Sequence, residues 1–215
     1  MQAENLIQTI SIAAIPILFA ITLHEAAHGY AARHFGDMTA YQQGRISLNP
    51  LRHIDPVGTI LLPLLTFLFG GILFGWAKPV PVNFAALRSP KKDMLWVSLA
   101  GPAANFFMAL CWALLAKVAW SFPDNYFAEP MQEMALMGIR INVILIALNI
   151  LPLPPLDGGR MAISLLPHRQ AYKLAQIEPY GMFILIFMAL TPILGWILGP
   201  LVNIMYYVIQ SIFGM

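Results

Sequence analysis

Apolar residues run almost unbroken from Leu6 to Leu23, and helical character is expected to continue through Ala31. At about 1.5 Å per residue, such a run reaches across the roughly 30 Å hydrocarbon core of a bilayer. Further apolar runs cover Val57–Phe74, Met94–Phe122 and Met134–Leu151. The last, Gly181–Phe213, is too long for one ordinary span, and Pro192, Gly195, Gly199 and Pro200 are expected to divide it. The pattern predicts an all-α polytopic membrane protein, a bundle of about four to six membrane segments. Glu4 is the only early charge, so the first run lacks the basic flank of a removable signal and is expected to stay as a helix.

The polar positions between the runs suggest an orientation. Arg33, Arg45 and Arg52 separate the first and second runs, and Lys78, Arg88, Lys91 and Lys92 separate the second and third. The next connection carries Asp124 and Glu129, and Arg160, Arg169 and Lys173 follow the fourth run. Positive loops stay cytoplasmic, which predicts an N-terminus outside and a first helix entering the cytoplasm. Both flanks of Val57–Phe74 are then cytoplasmic, so this segment is expected to be re-entrant, bending at Pro63 and Gly70-Gly71. The alternative is a full span that breaks the charge rule on one side. Trp76–Asn83, reading WAKPVPVN, is too rich in proline for a helix and is expected to form a short extended strand.

Composition narrows the class. Of 215 residues, 59% are hydrophobic and 10% charged, against about 25% charged in soluble domains. Mean hydropathy is +0.71. Too few polar side chains exist to cover a soluble globule. The net charge near +2 gives no reason to expect nucleic acid as a partner, and the single cysteine, Cys111, excludes a disulfide framework. The length suits one integral membrane domain over 1–215, with a core at about 6–166 and C-terminal membrane segments at 180–213.

Candidate chemistry sits at the end of the first run, where His24-Glu25-Ala26-Ala27-His28 matches HExxH. On a helix, positions i and i+4 share a face, so both imidazoles can reach one metal ion, with the glutamate beside them as a base. Five His and five Glu in this chain give a chance expectation of roughly 0.003 such matches. Three ionisable groups in five residues of a spanning helix are costly in lipid and mark function. The bland alternative is a helix end whose polar residues meet headgroups. A catalytic zinc takes three protein ligands and keeps a fourth position for water. Asp157 stands out as the third, in a stretch where Pro152, Pro154 and Pro155 break the fourth helix and Gly158-Gly159 permit a tight turn. Its competing role is as the N-cap of a short helix from Gly158 to Leu166.

HEAAH, followed downstream by Asn149-x-x-Pro152-x-x-x-Leu156-Asp157-Gly158, resembles the site-2 protease family of intramembrane zinc metalloproteases. Ala100-Gly101-Pro102-x-x-Asn105 is a third shared element. The connector with Gly44-Arg45, Leu48-Asn49-Pro50 and His53-Ile54-Asp55-Pro56, together with Trp76–Asn83, is similar to the family's small prokaryotic branch. The likeness spans about residues 20–160, without the PDZ or nucleotide-sensing domain of many relatives. It implies one Zn2+ per chain on His24, His28 and Asp157, Glu25 as catalytic base and acid, and a prokaryotic cell membrane. The substrates it implies are membrane proteins cut within or near a transmembrane helix.

Asn149 and Asn105 are candidates for orienting the substrate carbonyl or stabilising its oxyanion, against a plain polar contact between helices. Val80 and Val82 are candidates for pairing with substrate as an added strand. The rival function is a non-proteolytic zinc-binding membrane protein, a transporter or inactive sensor. A transporter calls for several ligand sets, and a purely binding site has no need of Glu25. Cys111 reads as a small hydrophobe. His53 and Asp55 read as a loop held by Asx-type bonds, and Arg88 with Lys91-Lys92 as a headgroup-facing patch.

Overall fold

A computed structural model describes residues 2–62, 64–65 and 75–214. Its main elements are helices α1 Gln2–His34, α2 Pro90–Trp120, α3 Ala128–Asn149, α4 Asp157–Leu165, α5 His168–Ala175, α6 Glu178–Ala189 and α7 Ile193–Phe213. Four of them are long and apolar enough to cross a membrane: α2, α3, α7 and the Ser11–His34 part of α1. The apolar runs therefore mark these helices well, and the final run does divide. The division falls at Leu190-Thr191-Pro192, while Pro200 lies inside α7.

The bundle is organised by two rows of inward-facing residues, each spaced by four. On α1 the row is Pro16, Ala20, His24, His28 and Ala32. On α2 it is Val97, Gly101, Asn105, Ala109 and Ala113, and every member of both rows is buried. Residues four apart lie one above another on a helix face. Small residues at half of these steps let the backbones approach closely, which is how helices pack in a medium that gives no hydrophobic drive between them. The contacts run antiparallel: His28 meets Val97 and Ala20 meets Asn105. Helix α3 packs on α2, where Gly138 sits under the Trp112 ring: a Cβ there would lie 2.4 Å from the indole. Ala109, Ala113, Ile139, Val143 and Ile209 form a common core that draws in α7.

The connector between α1 and α2 holds a short helix at Thr39–Gln42, followed by helical turns at Pro50–His53 and Pro56–Leu61. Asn49 accepts from the Leu51 N–H, and Asp55 accepts from the Val57 and Gly58 N–H groups. These are the Asx-type bonds expected for this loop. The Trp76 N–H donates to Gly58 O, the Thr59 hydroxyl to Trp76 O and the Lys78 N–H to His53 O. The two ends of the segment expected to be re-entrant are thus bonded to each other. The bend at Pro63 and Gly70-Gly71 lies outside the described residues.

Residues 75–83 form neither helix nor the expected strand, and no strand ladder involves them among the described residues. Instead the segment docks by side chains and carboxylates. Val80 is buried against α1, close to Gly29, and Val82 packs on the Ala32, Leu87 and Val97 cluster. The Asn83 N–H donates to the buried Asp37 carboxylate at 2.7 Å. Pro79 and Pro81 alternate with these residues and cannot themselves donate, which suits an extended strap without a paired neighbour.

Candidate metal centre

Helix α1 brings His24 and His28 to one face, and the turn after α3 brings Asp157 to meet them. The three donor atoms form a nearly equilateral triangle. His24 Nε2 lies 3.1 Å from His28 Nε2, and Asp157 Oδ2 lies 3.2 and 3.3 Å from the two nitrogens. Zinc held tetrahedrally at about 2.0–2.1 Å sets its ligand atoms about 3.3–3.4 Å apart. The observed edges are close to that value. Apart from the two imidazoles, buried Asp157 Oδ2 has no hydrogen-bond partner among the described residues, an arrangement that suits a cation shared by the three donors. The donor set of two imidazoles and one carboxylate also fits zinc, and leaves a fourth position open. Asp157 is not an N-cap: Leu156 takes that position, and no side chain caps α4.

The outer nitrogen of each imidazole is anchored. His28 Nδ1 donates to Val97 O at 2.7 Å, and His24 Nδ1 donates to Asn105 Oδ1. A hydrogen on Nδ1 leaves the Nε2 lone pair free for a metal and fixes the ring's rotation. This corrects the reading of Asn105 as an oxyanion or substrate-orienting group. Asn105 is fully buried, and its carbonyl oxygen is occupied by the histidine. Its amide group donates to Asn142 Oδ1 at 2.9 Å and Ala20 O at 3.3 Å, so nothing remains to face a substrate.

Gly101 makes this packing feasible. A Cβ at that position would lie 2.4 Å from His28 Nε2 and 2.6 Å from His24 Nε2. Helix α2 thus forms a floor against the ligand atoms that only glycine allows. Gly158 plays the same part in the turn that carries Asp157, where a Cβ would meet Ile150 O at 2.2 Å. Helix α6 braces the turn from behind, and Gly181 lies so near Pro154 O that a Cβ would come within 1.8 Å.

A cavity of about 520 Å³ opens beside the triangle. His24, Glu25 and Asn149 line it together with Thr59, Trp76 and a largely aliphatic wall of Ile17, Ile21, Leu145, Leu148 and Leu185. Asn149 therefore faces space that a substrate could fill, although its amide group also donates to Leu145 O within α3. Glu25 Oε2 accepts the Val80 N–H at 2.7 Å. This corrects the expectation for Val80, whose N–H was to serve an incoming strand: a carboxylate on α1 already holds it. Three contributors had no sequence signal assigned to them, namely Asn142, Asp37 and the Val80–Glu25 bond. An asparagine inside the apolar run Met134–Leu151 was the available sign for the first.

A sequence model of peptidase family M50 matches residues 116–192, a stretch that contains Asn149 and Asp157 and stops short of HEAAH. The chain is also similar along most of its length to YwhC of Bacillus subtilis (strain 168), a protein assigned as a zinc metalloprotease. The two are 37% identical over 192 residues, covering 88% of this chain and 84% of that one. Rip2 of Mycolicibacterium smegmatis, with the same assignment, is 35% identical over 180 residues, covering 83% of this chain and 66% of its own length. Rip2 of Mycobacterium tuberculosis (strain H37Rv) is 32% identical over 190 residues. No solved structure matches the chain.

Proposed function

This chain belongs to peptidase family M50, the site-2 protease family of zinc metalloproteases, and we propose that it hydrolyses peptide bonds within or near the membrane helices of other proteins. In this reading His24, His28 and Asp157 hold one zinc ion and Glu25 is the general base. The observation that carries it is the triangle of donor atoms with edges of 3.1 to 3.3 Å beside a carboxylate that lines a cavity.

A zinc ion held by His24, His28 and Asp157 would polarise the scissile carbonyl and lower the pKa of an attacking water towards about 7. Glu25 takes that water's proton and delivers it to the leaving amine. The Val80 N–H bond occupies Oε2, which fixes the carboxylate's rotation and leaves Oε1 for the proton. Asn149, on the cavity wall, orients the substrate carbonyl.

A substrate helix hides its carbonyls in i→i−4 bonds, so it must unwind before hydrolysis. Unwinding in lipid strands polar groups at several kcal/mol each unless something satisfies them. We assign that part to the cavity's polar lining and to the strap around Val82, which offers an extended backbone edge. The active site then lies towards the cytoplasmic side, with the N-terminus outside. The mutual hydrogen bonds of residues 58, 59 and 76 support a 57–74 segment that leaves and returns on one side.

The test is cleavage of single-span membrane peptides by the reconstituted full chain, wild type beside Glu25→Gln. The variant is expected to cleave about 10²–10⁴-fold more slowly than the wild type. Cleavage by Glu25→Gln at a rate near wild type overturns the assignment of the base, and a zinc-loaded wild type that cleaves no such peptide overturns the proteolytic reading.

A further inference from the structure

Asn142 lies on α3, away from the ligand triangle, and is fully buried in a segment long and apolar enough to cross a membrane. A buried amide at such depth is costly unless its donors and acceptor find partners. Its own hydrogen bonds are directional. Asn142 Nδ2 donates to Gly138 O, one turn back on the same helix, at 2.8 Å. Asn142 Oδ1 accepts from Asn105 Nδ2 at 2.9 Å. Asn105 Oδ1 in turn accepts from His24 Nδ1.

We infer that Asn142 is a positioning residue for the metal centre, acting through Asn105 to fix the tautomer and ring orientation of His24. The reasoning follows from what an amide can do at each end. An asparagine presents an acceptor on one side and a donor on the other, and a flip exchanges them. Asn105 serves His24 only with its oxygen towards the ring. Asn142 enforces that choice by placing the nearer of two acceptors, at 2.9 Å against 3.3 Å for Ala20 O, at the other end of the Asn105 amide. The Gly138 carbonyl, which can only accept, does the same for Asn142. The chain from Gly138 O to His24 thus has one consistent direction, and it leaves the His24 Nε2 lone pair facing Asp157 and His28. Gly138 contributes twice, because its missing Cβ also admits the Trp112 ring beside the relay.

The inference rests on the zinc reading of the site, and the experiment separates the two. The purified full chain is titrated with zinc against a chelator of known affinity, and with Co2+ to read the visible spectrum of the occupied site. Asn142→Leu removes the acceptor and is expected to weaken zinc about tenfold, the lower end of the 10–100-fold range for groups that orient metal ligands. It should also change the Co2+ band shape. Asn142→Asp keeps an oxygen facing Asn105, and burial in the bundle favours its neutral acid, whose O–H can donate to Gly138 O, so both readouts should return to near wild type. Asn142→Ala removes the same acceptor by truncation, without placing methyl groups against polar partners, and decides the matter if the leucine variant does not fold. Val143→Ala, at an equally buried neighbour, should lower the melting temperature while leaving zinc affinity and the Co2+ spectrum unchanged. Wild-type zinc affinity and spectrum in Asn142→Leu or Asn142→Ala overturns the relay alone. A wild-type chain that binds no zinc overturns the reading of the site and the relay with it.

Discussion

Gly101 and His28 touch across the α1–α2 interface so closely that a methyl group at residue 101 would sit 2.4 Å from the histidine's Nε2. The ring cannot retreat without giving up its Nδ1 bond to Val97 O, and His24 is held in the same way by Asn105. Gly101→Ala is therefore expected to abolish tight zinc binding, by at least about tenfold in affinity. Alanine is the better helix former by about 0.8–1.0 kcal/mol, so α2 itself is not weakened. Metal content after dialysis, read beside the helical circular dichroism, checks both halves. Full zinc retention would show that the helices can slide apart at no cost to the site.

The three proposed ligands should behave as a unit. A three-donor site has no spare group, so His24→Ala, His28→Ala and Asp157→Ala are each expected to lose most bound zinc. Asp157 is the informative member, because its Oδ2 has no other hydrogen-bond partner. Stoichiometric zinc by mass spectrometry of the intact Asp157→Ala protein would mean that the third ligand lies elsewhere.

Glu25→Gln should do the opposite, retaining zinc while losing about 10²–10⁴-fold in the rate of peptide hydrolysis, the usual span for a positioned base. Glutamine keeps the shape and can still accept the Val80 N–H, but it cannot take a proton. Paired measurements of metal content and turnover on the same preparation test this. A fall in both together would recast Glu25 as part of the metal's binding shell.

Much of this was legible because local rules govern it. HEAAH places two imidazoles on one face through helical spacing alone, and Pro152, Pro154 and Pro155 announce that the chain must stop being helical just before Asp157. The unread parts depend on contacts between distant segments. Asn105 is visible as a polar group in an apolar run, yet the acceptors that its amide meets, Asn142 Oδ1 and Ala20 O, lie 37 and 85 positions away in sequence. Val80 looked free because an extended segment exposes alternate N–H groups. Its partner Glu25 lies 55 positions earlier, beyond any periodic signal. Asp37 shows the same limit: a carboxylate just past a helix end reads as surface, while here it is buried under the Asn83 N–H.

The proposed topology rests on charge and on the hydrogen bonds that join residues 58 and 59 to residue 76. Single cysteines at Gln43 and Ser89, in a Cys111→Ala background, are expected to react with an impermeant thiol reagent from the same side of sealed vesicles. That side should be cytoplasmic, given the basic residues of both connections. Reaction from opposite sides would make 57–74 a full span.

The strap separates two roles that a pair of proline substitutions can distinguish. Residues 79 and 81 are already prolines, so the extended backbone around them tolerates another, and each substitution removes one N–H. Val80→Pro deletes the donor to Glu25. The carboxylate then loses its fixed rotation, and kcat is expected to fall about tenfold or more for helical and pre-unfolded substrates alike. Val82→Pro leaves Glu25 held and, besides trimming the packing on Ala32, Leu87 and Val97, removes a donor proposed to meet the unwound substrate. Cleavage of a helical membrane peptide should fall, while a soluble, unstructured peptide is cut nearly as before, because it has no helix to open. Zinc content should match wild type in both variants, which excludes collapse of the site as the cause. If Val82→Pro cuts the helical peptide at the wild-type rate, the strap serves to position Glu25 and takes no part in holding the substrate. If Val80→Pro retains full kcat, the carboxylate finds its working orientation without the strap.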